Sequence, residues 1–171
     1  MCPRLRDDEA PGVSGRAQDR DALHRRNDTV RGVSTRPSRT FHYSVAQDRA
    51  ARVSADGKDE LELGGAWKPE HLVLAGLVRC TLESLRFHAS RAGIDFVASA
   101  SASGTVTRRD DDERYAFVEI SVEFEVELEP QPDDVAELLA KAERDCFVGA
   151  SLTAKPKYGW RVNGAPVGSQ A

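Results

Sequence analysis

An α+β domain with mostly antiparallel strands and one long buried helix is the fold this sequence predicts. Three observations point to it. A run opening at Pro69 is apolar on every side yet too short to span a membrane, so it belongs inside a protein. A stretch ending at Leu128 alternates strictly between apolar and polar, mostly acidic, residues, the mark of a strand with one face on a core. The inferred element order, β-β-β-α-β-β-α-β, is not the regular alternation of a parallel α/β sheet.

The chain has 171 residues, enough for one domain or one domain with a tail. Residues 1–39 carry scattered apolar side chains (Leu5, Val13, Leu23, Val30, Val33) among arginines, aspartates, glycines and prolines. Such a stretch cannot bury enough apolar surface to offset its ordering entropy, so a disordered N-terminal tail is expected. Arg25-Arg26 is followed by no apolar core, and no export signal is expected.

The folded body is expected over 40–163. Phe41, Tyr43 and Val45 alternate with polar neighbours and predict a strand. Arg49 to Ala55 predicts a second, closed by Asp56-Gly57, and Glu60 to Leu63 a short third before Gly64-Gly65. Pro69 suits a first helical turn, where its missing N–H is not needed, and Glu70 suits the positive end of the helix dipole. The run Leu72 to Val78 is wholly apolar; beyond Cys80 the pattern is amphipathic, and Gly93 is a C-terminal stop.

A β-hairpin follows. Its first arm, from Ile94 to about Arg108, is rich in Ala, Ser and Thr, small enough for a helix to approach closely. In its second arm Ala116, Val118, Ile120, Val122, Phe124, Val126 and Leu128 point one way, and Glu119, Ser121, Glu123, Glu125 and Glu127 the other. Asp133 is the expected cap of a second helix with Val135, Leu138, Leu139 and Ala142 on its apolar stripe. Tyr158 to Val162 predicts the last strand, with residues 164–171 loose.

Composition narrows the function classes. Lys and Arg number 24 against 28 Asp and Glu, a net charge of −4, where a general nucleic-acid binder is normally basic. Three cysteines, Cys2, Cys80 and Cys146, do not build a secreted disulfide scaffold, and a reducing cytoplasm is the expected setting. The sequence has no C-x-x-C, H-E-x-x-H, Gly-rich phosphate loop or G-x-S-x-G elbow, and no metal or bound cofactor is expected. The thiols remain. Cys80 shares a helical face with Val73, Gly76, Leu77 and Ser84, where a cysteine also serves as a small hydrophobe. Cys146 precedes Phe147-Val148-Gly149; if a helical turn begins there, its N–H groups favour a thiolate.

The run Pro69-Glu70-His71-Leu72-Val73-Leu74-Ala75-Gly76-Leu77-Val78-Arg79-Cys80 resembles the central helix of the OsmC/Ohr family. That motif is N/S-P-E-x-L, then small and apolar residues, then a cysteine at the spacing seen here between Glu70 and Cys80. Cys146-Phe147-Val148-Gly149 resembles the family's second motif, commonly C-P-V-S, but with Phe147 and Gly149 in place of proline and serine. Trp67-Lys68 replaces the small polar residue before Pro69. The resemblance spans roughly 40–163.

It implies antiparallel sheets wrapped around a long buried central helix, in an intertwined homodimer with sites at its interface. It further implies a thiol-dependent peroxidase that reduces organic hydroperoxides to alcohols in oxidative-stress defence. Cys80 would be the peroxidatic cysteine, Cys146 the resolving one, and Glu70 the family's glutamate. An arginine from the second-strand region would complete the site; Arg49 is preferred over Arg52, with a solvated surface arginine as the alternative. No cofactor would be bound, and an external dithiol, lipoyl-type in the best-known branch, would be the reductant. The alternative is a non-catalytic relative that binds a small apolar ligand or a partner in the dimer cleft, with Cys80 as packing. At 1.5 Å per residue, Glu70 and Cys80 lie ~15 Å apart on a straight helix, so for both to serve one site the glutamate must come from a second copy or the helix must bend.

Overall fold

Pro69 opens the longest helix, α1 (Pro69–Arg91), with Glu70 in its first turn as its sequence predicts. The computed structural model describes residues 40–50, 52–58 and 60–168; the expected disordered tail lies outside them. All the helices and strands of the described residues belong to the unit that begins at Tyr43. The backbone N–H of Lys68 donates to His71 Nδ1 (3.0 Å), which caps the first turn of α1. The helix ends before Gly93, whose φ of 70° is left-handed and suits glycine. Leu77, Thr81, Leu85 and Ala89, four residues apart, form its fully buried stripe.

That burial is one-sided within a single chain. Leu72 is 38% exposed and Ala75 is exposed too, because no element among the described residues covers the outer face of the helix's first half. Within one chain the apolar run expected inside the protein is therefore covered on one side only.

The core lies between α1 and a sheet. Strands β4 (Asp95–Arg108) and β5 (Tyr115–Glu129) form the predicted antiparallel hairpin. Ile120, Val122, Phe124, Val126 and Leu128 of β5 are buried, and Glu123, Glu125 and Glu127 face outward. The alternation fails at Val118, which is 46% exposed, while Phe117 packs against the core. The register shifts there: Thr105 pairs with Glu119 but Val106 with Phe117, so Val118 is the extra residue of a bulge. Gly104 makes room, since a Cβ on it would stand 2.6 Å from the Phe117 ring.

After β5 the chain crosses through two helices, α2 (Val135–Arg144) and α3 (Phe147–Ser151). It returns as β6 (Lys157–Val162), parallel to β5. Asp134, not Asp133, caps α2: its Oδ1 accepts from Glu137 N at 2.8 Å. Residues 165–167, expected to be loose, form β7 (Ala165–Val167), antiparallel to β6. The turn is Asn163-Gly164, with φ of 49° and 79°, and the Asn163 side chain bonds both Leu128 N (2.9 Å) and Leu128 O (3.3 Å). The sheet order is β4-β5-β6-β7.

The N-terminal strands form the expected meander, but shorter: β1 (Val45–Gln47), β2 (Arg52–Ala55) and β3 (Glu60–Glu62). Phe41 and Tyr43 lie outside β1 and are exposed.

Candidate functional site

The crossover between β5 and β6 brings the two cysteines together. Cys146 is the N-cap of α3 and is fully buried; its Sγ accepts from Gly149 N at 3.3 Å. Thr81, next to Cys80 on α1, donates its hydroxyl to Leu77 O (3.0 Å) and reaches Cys146 Sγ at 3.3 Å. The helical turn expected at Cys146 is therefore present, and its N–H groups serve both sulfurs. Gly149 N turns to Cys146, while Val148 N and Phe147 N donate to the half-buried Cys80. Both cysteines are free thiols.

The electrostatics of Cys80 are divided. Burial pushes its thiol above the ordinary value, and the Val148 N–H pulls it back. The hydrogen-bonded neighbour Cys146 raises it further, and the Phe147 N–H lowers it. Among the described residues of one chain, no guanidinium acts on Cys80.

Packing fixes the position of Cys146. Asp145, just before it, binds His88 Nε2 of α1 at 2.9 Å and Arg144 Nε at 2.8 Å. Arg144 above all, with a smaller share from His88, holds the Asp145 carboxyl below its ordinary range. Beyond α3 lies Tyr158 of β6, in an aromatic stack: its ring is 6.4 Å from that of Phe124, which lies 4.2 Å from Trp160. Trp160 Nε1 donates to Glu143 Oε1 at 2.6 Å. Burial raises the Glu143 carboxyl and this bond partly offsets the rise.

The other expected site residues are not brought to the thiols within one chain. Glu70 is exposed in the first turn of α1, ten residues along the helix from Cys80. Arg49 lies in the exposed turn between β1 and β2. Arg52 is held within the meander by Asp48 (2.7 Å) and Glu60 (3.6 Å). Two residues beside the pair that the sequence did not single out for the site are Thr81, which reaches Cys146, and Tyr158, whose hydroxyl stands 2.7 Å from where a Cβ on Gly149 would lie. Adjacency to Cys80 was a signal for Thr81; Tyr158 carried none, since only the crossover brings β6 alongside α3.

The OsmC-like protein family model matches residues 57–161. The chain belongs to the OsmC-like family. Among curated proteins, no sequence match to the chain was found. Solved OsmC-like structures share the fold at low identity. An OsmC-like protein of unknown function from Vibrio cholerae aligns at 12% identity and a TM-score of 0.57, over 73% of this chain and 99% of its own. An OsmC-like protein from Mycoplasma pneumoniae aligns at 15% and 0.54, over 73% and 96%. A third, a candidate organic hydroperoxide resistance protein from Vibrio cholerae with captopril bound in one of its active sites, aligns at 19% and 0.54, over 77% and 97%. The OsmC-like match includes Glu70, Cys80 and Cys146 and begins after Arg49 and Arg52. Among the described residues of this OsmC-like chain, no helix is long and apolar enough to cross a membrane, and no group of His, Cys, Asp and Glu could hold a metal.

Proposed function

We propose that this OsmC-like protein is a thiol peroxidase for organic hydroperoxides. The observation that carries the reading is the juxtaposition of Cys80 and Cys146 at the start of α3, with backbone N–H groups donating to the Cys80 sulfur. A thiolate is the nucleophile, and such donors favour it. The Cys80 thiolate attacks the peroxide; with one proton taken up, an alcohol leaves and Cys80 becomes a sulfenic acid. Cys146 then displaces hydroxide as water, leaving a Cys80–Cys146 disulfide, and an external dithiol, lipoyl-type in this reading, restores both thiols by exchange. The reducing cytoplasm is the proposed setting.

The charge balance at Cys80 calls for more than one chain holds. An intertwined homodimer answers it: a second copy covers the exposed apolar face of α1 and brings Glu70 and an arginine, Arg49 in preference to Arg52, to the thiol. There a bidentate Glu–Arg pair would hold the guanidinium against the sulfur and polarise the peroxide. The hydroperoxide-resistance name of the captopril-bound relative fits this reading.

The test is oxidation of reduced protein with cumene hydroperoxide, read by mass spectrometry. The expected product is a Cys80 sulfenic acid or a Cys80–Cys146 disulfide, with turnover when dihydrolipoamide is supplied. Unmodified Cys80 after excess peroxide would sink the reading and favour a ligand-binding module. One feature favours that second reading: an open hollow of about 670 Å³ beside α1, walled by Trp67, Leu74, Val78, Leu82, Ala100 and Ala102.

A further inference from the structure

Asp145 and Cys146 are consecutive residues at the junction of α2 and α3, and each is tied to α1. Asp145 Oδ2 meets His88 Nε2 at 2.9 Å, and Cys146 Sγ meets the Thr81 hydroxyl at 3.3 Å. Thr81 and His88 are seven residues apart, close to two turns, so they stand on one face of α1 about 10 Å apart along its axis. A junction held at one point pivots about it; held at two points it does not. Arg144 above all, with a smaller share from His88, keeps the Asp145 carboxyl below its ordinary range. At neutral pH that carboxylate only accepts, so His88 Nε2 carries the hydrogen between them. The His88 side chain is 14% exposed, and water competes little for its place.

From these two ties we infer that His88 is a positioning residue for the resolving thiol: through Asp145, and together with Thr81, it clamps the α2–α3 junction so that Cys146 stays in reach of Cys80. Cys80 sits beside Thr81 on α1, so the clamp fastens the support of one thiol directly to the support of the other. A disulfide forms only where the two Cβ atoms come within about 4.5 Å of each other. A loosened junction spends less time in that geometry, and an intramolecular attack slows in proportion. The inference deepens the peroxidase reading and rests on it for its biological use, but the step itself can be run without peroxide.

The test treats the full chain, carrying Cys2→Ser so that two thiols report, with 4,4′-dithiodipyridine at neutral pH. The first 4-thiopyridone released marks a mixed disulfide at Cys80, the more exposed of the two thiols. The second marks its displacement by Cys146, which forms the Cys80–Cys146 disulfide and expels thiopyridone with the proton that Cys146 gives up. Mass mapping confirms both sites. The first release depends on reagent concentration; the second does not, and it reports the reach of Cys146. His88→Leu is expected to slow the second release about tenfold. Asp145→Ala opens the same tie from its more exposed end and gives the same deficit. His88→Gln, which keeps an N–H donor near the place of Nε2, restores the rate. At the other tie, Thr81→Val slows the step and Thr81→Ser restores it. Ser84 lies on α1 between the two ties, and its buried Oγ has no hydrogen-bond partner among the described residues, so Ser84→Ala leaves the second release unchanged. Thermal melts verify that each variant is folded. Parental second-release rates in His88→Leu and Asp145→Ala, a deficit that His88→Gln does not repair, an equal deficit in Ser84→Ala, or no second release from the parent protein would each overturn the inference. Oxidation by cumene hydroperoxide is followed in parallel, so a failure of the peroxidase reading is seen separately.

Discussion

Cys80 and Cys146 meet in the fold, and their proposed roles predict different failures. Cys80→Ser is expected to lower hydroperoxide consumption about a hundredfold or more, because no other group supplies the nucleophile. Cys146→Ser should keep the first turnover but lose the disulfide, with Cys80 advancing to sulfinic acid under excess peroxide. Peroxide consumption and intact-mass measurements check both, and a Cys80→Ser protein of parental activity would refute the assignment. Tyr158 makes a separate prediction about stability. Burial raises its phenol from 10.0 to about 12, so the folded state favours the neutral form. Its contribution is complete below pH 10 and is lost as pH climbs through 12. The urea midpoint of the parent protein should therefore fall more between pH 9 and pH 11 than that of Tyr158→Phe. At this scale the sequence was legible for the cysteines, whose spacing from Glu70 is local. Thr81 and Tyr158 act across 65 and more residues of chain, and spacing says nothing of such contacts.

Helix α1 was readable almost to its ends, since Pro69, the apolar run and Gly93 all act within one or two turns. Strand β5 was readable from Ile120 to Leu128, where burial follows the period of two. It was misread at Val118 because a bulge depends on the neighbouring strand, through the clearance that Gly104 gives to Phe117. The β6–β7 hairpin was missed although Asn163-Gly164 is a strong turn signal; the short segment after it has too few residues to show a period. Asn163 now carries a prediction. It holds a left-handed φ and bonds Leu128 at both N and O, so Asn163→Ala should destabilise the fold by about 2 kcal/mol. Asn163→Gly keeps the turn geometry and loses only the side-chain bonds. Chemical denaturation should rank the parent first, then Asn163→Gly, then Asn163→Ala.

At the scale of the whole molecule, the α+β class was legible because the helical and strand periods are long and distinct. The extent of burial was not, because the run Leu72 to Val78 reads as interior whether its cover comes from the same chain or another. Sedimentation at micromolar concentration is expected to give a dimer, and Leu72→Arg, which sets a charge on the uncovered face, should shift it towards monomer. A persistent monomer would remove the proposed source of the second Glu70. The outward side of β5 has a consequence of its own. Glu119, Glu123, Glu125, Glu127 and Glu129 stand along one strand, and among the described residues only Lys157 (2.9 Å from Glu119) and Arg161 (3.9 Å from Glu125) answer them. Carboxylates two residues apart in a strand are about 7 Å from one another, near the Debye length of physiological saline. Ionic strength is thus a lever on the fold: sodium chloride should screen this ladder's self-repulsion and lift the melting temperature, with most of the gain coming in the first few hundred millimolar.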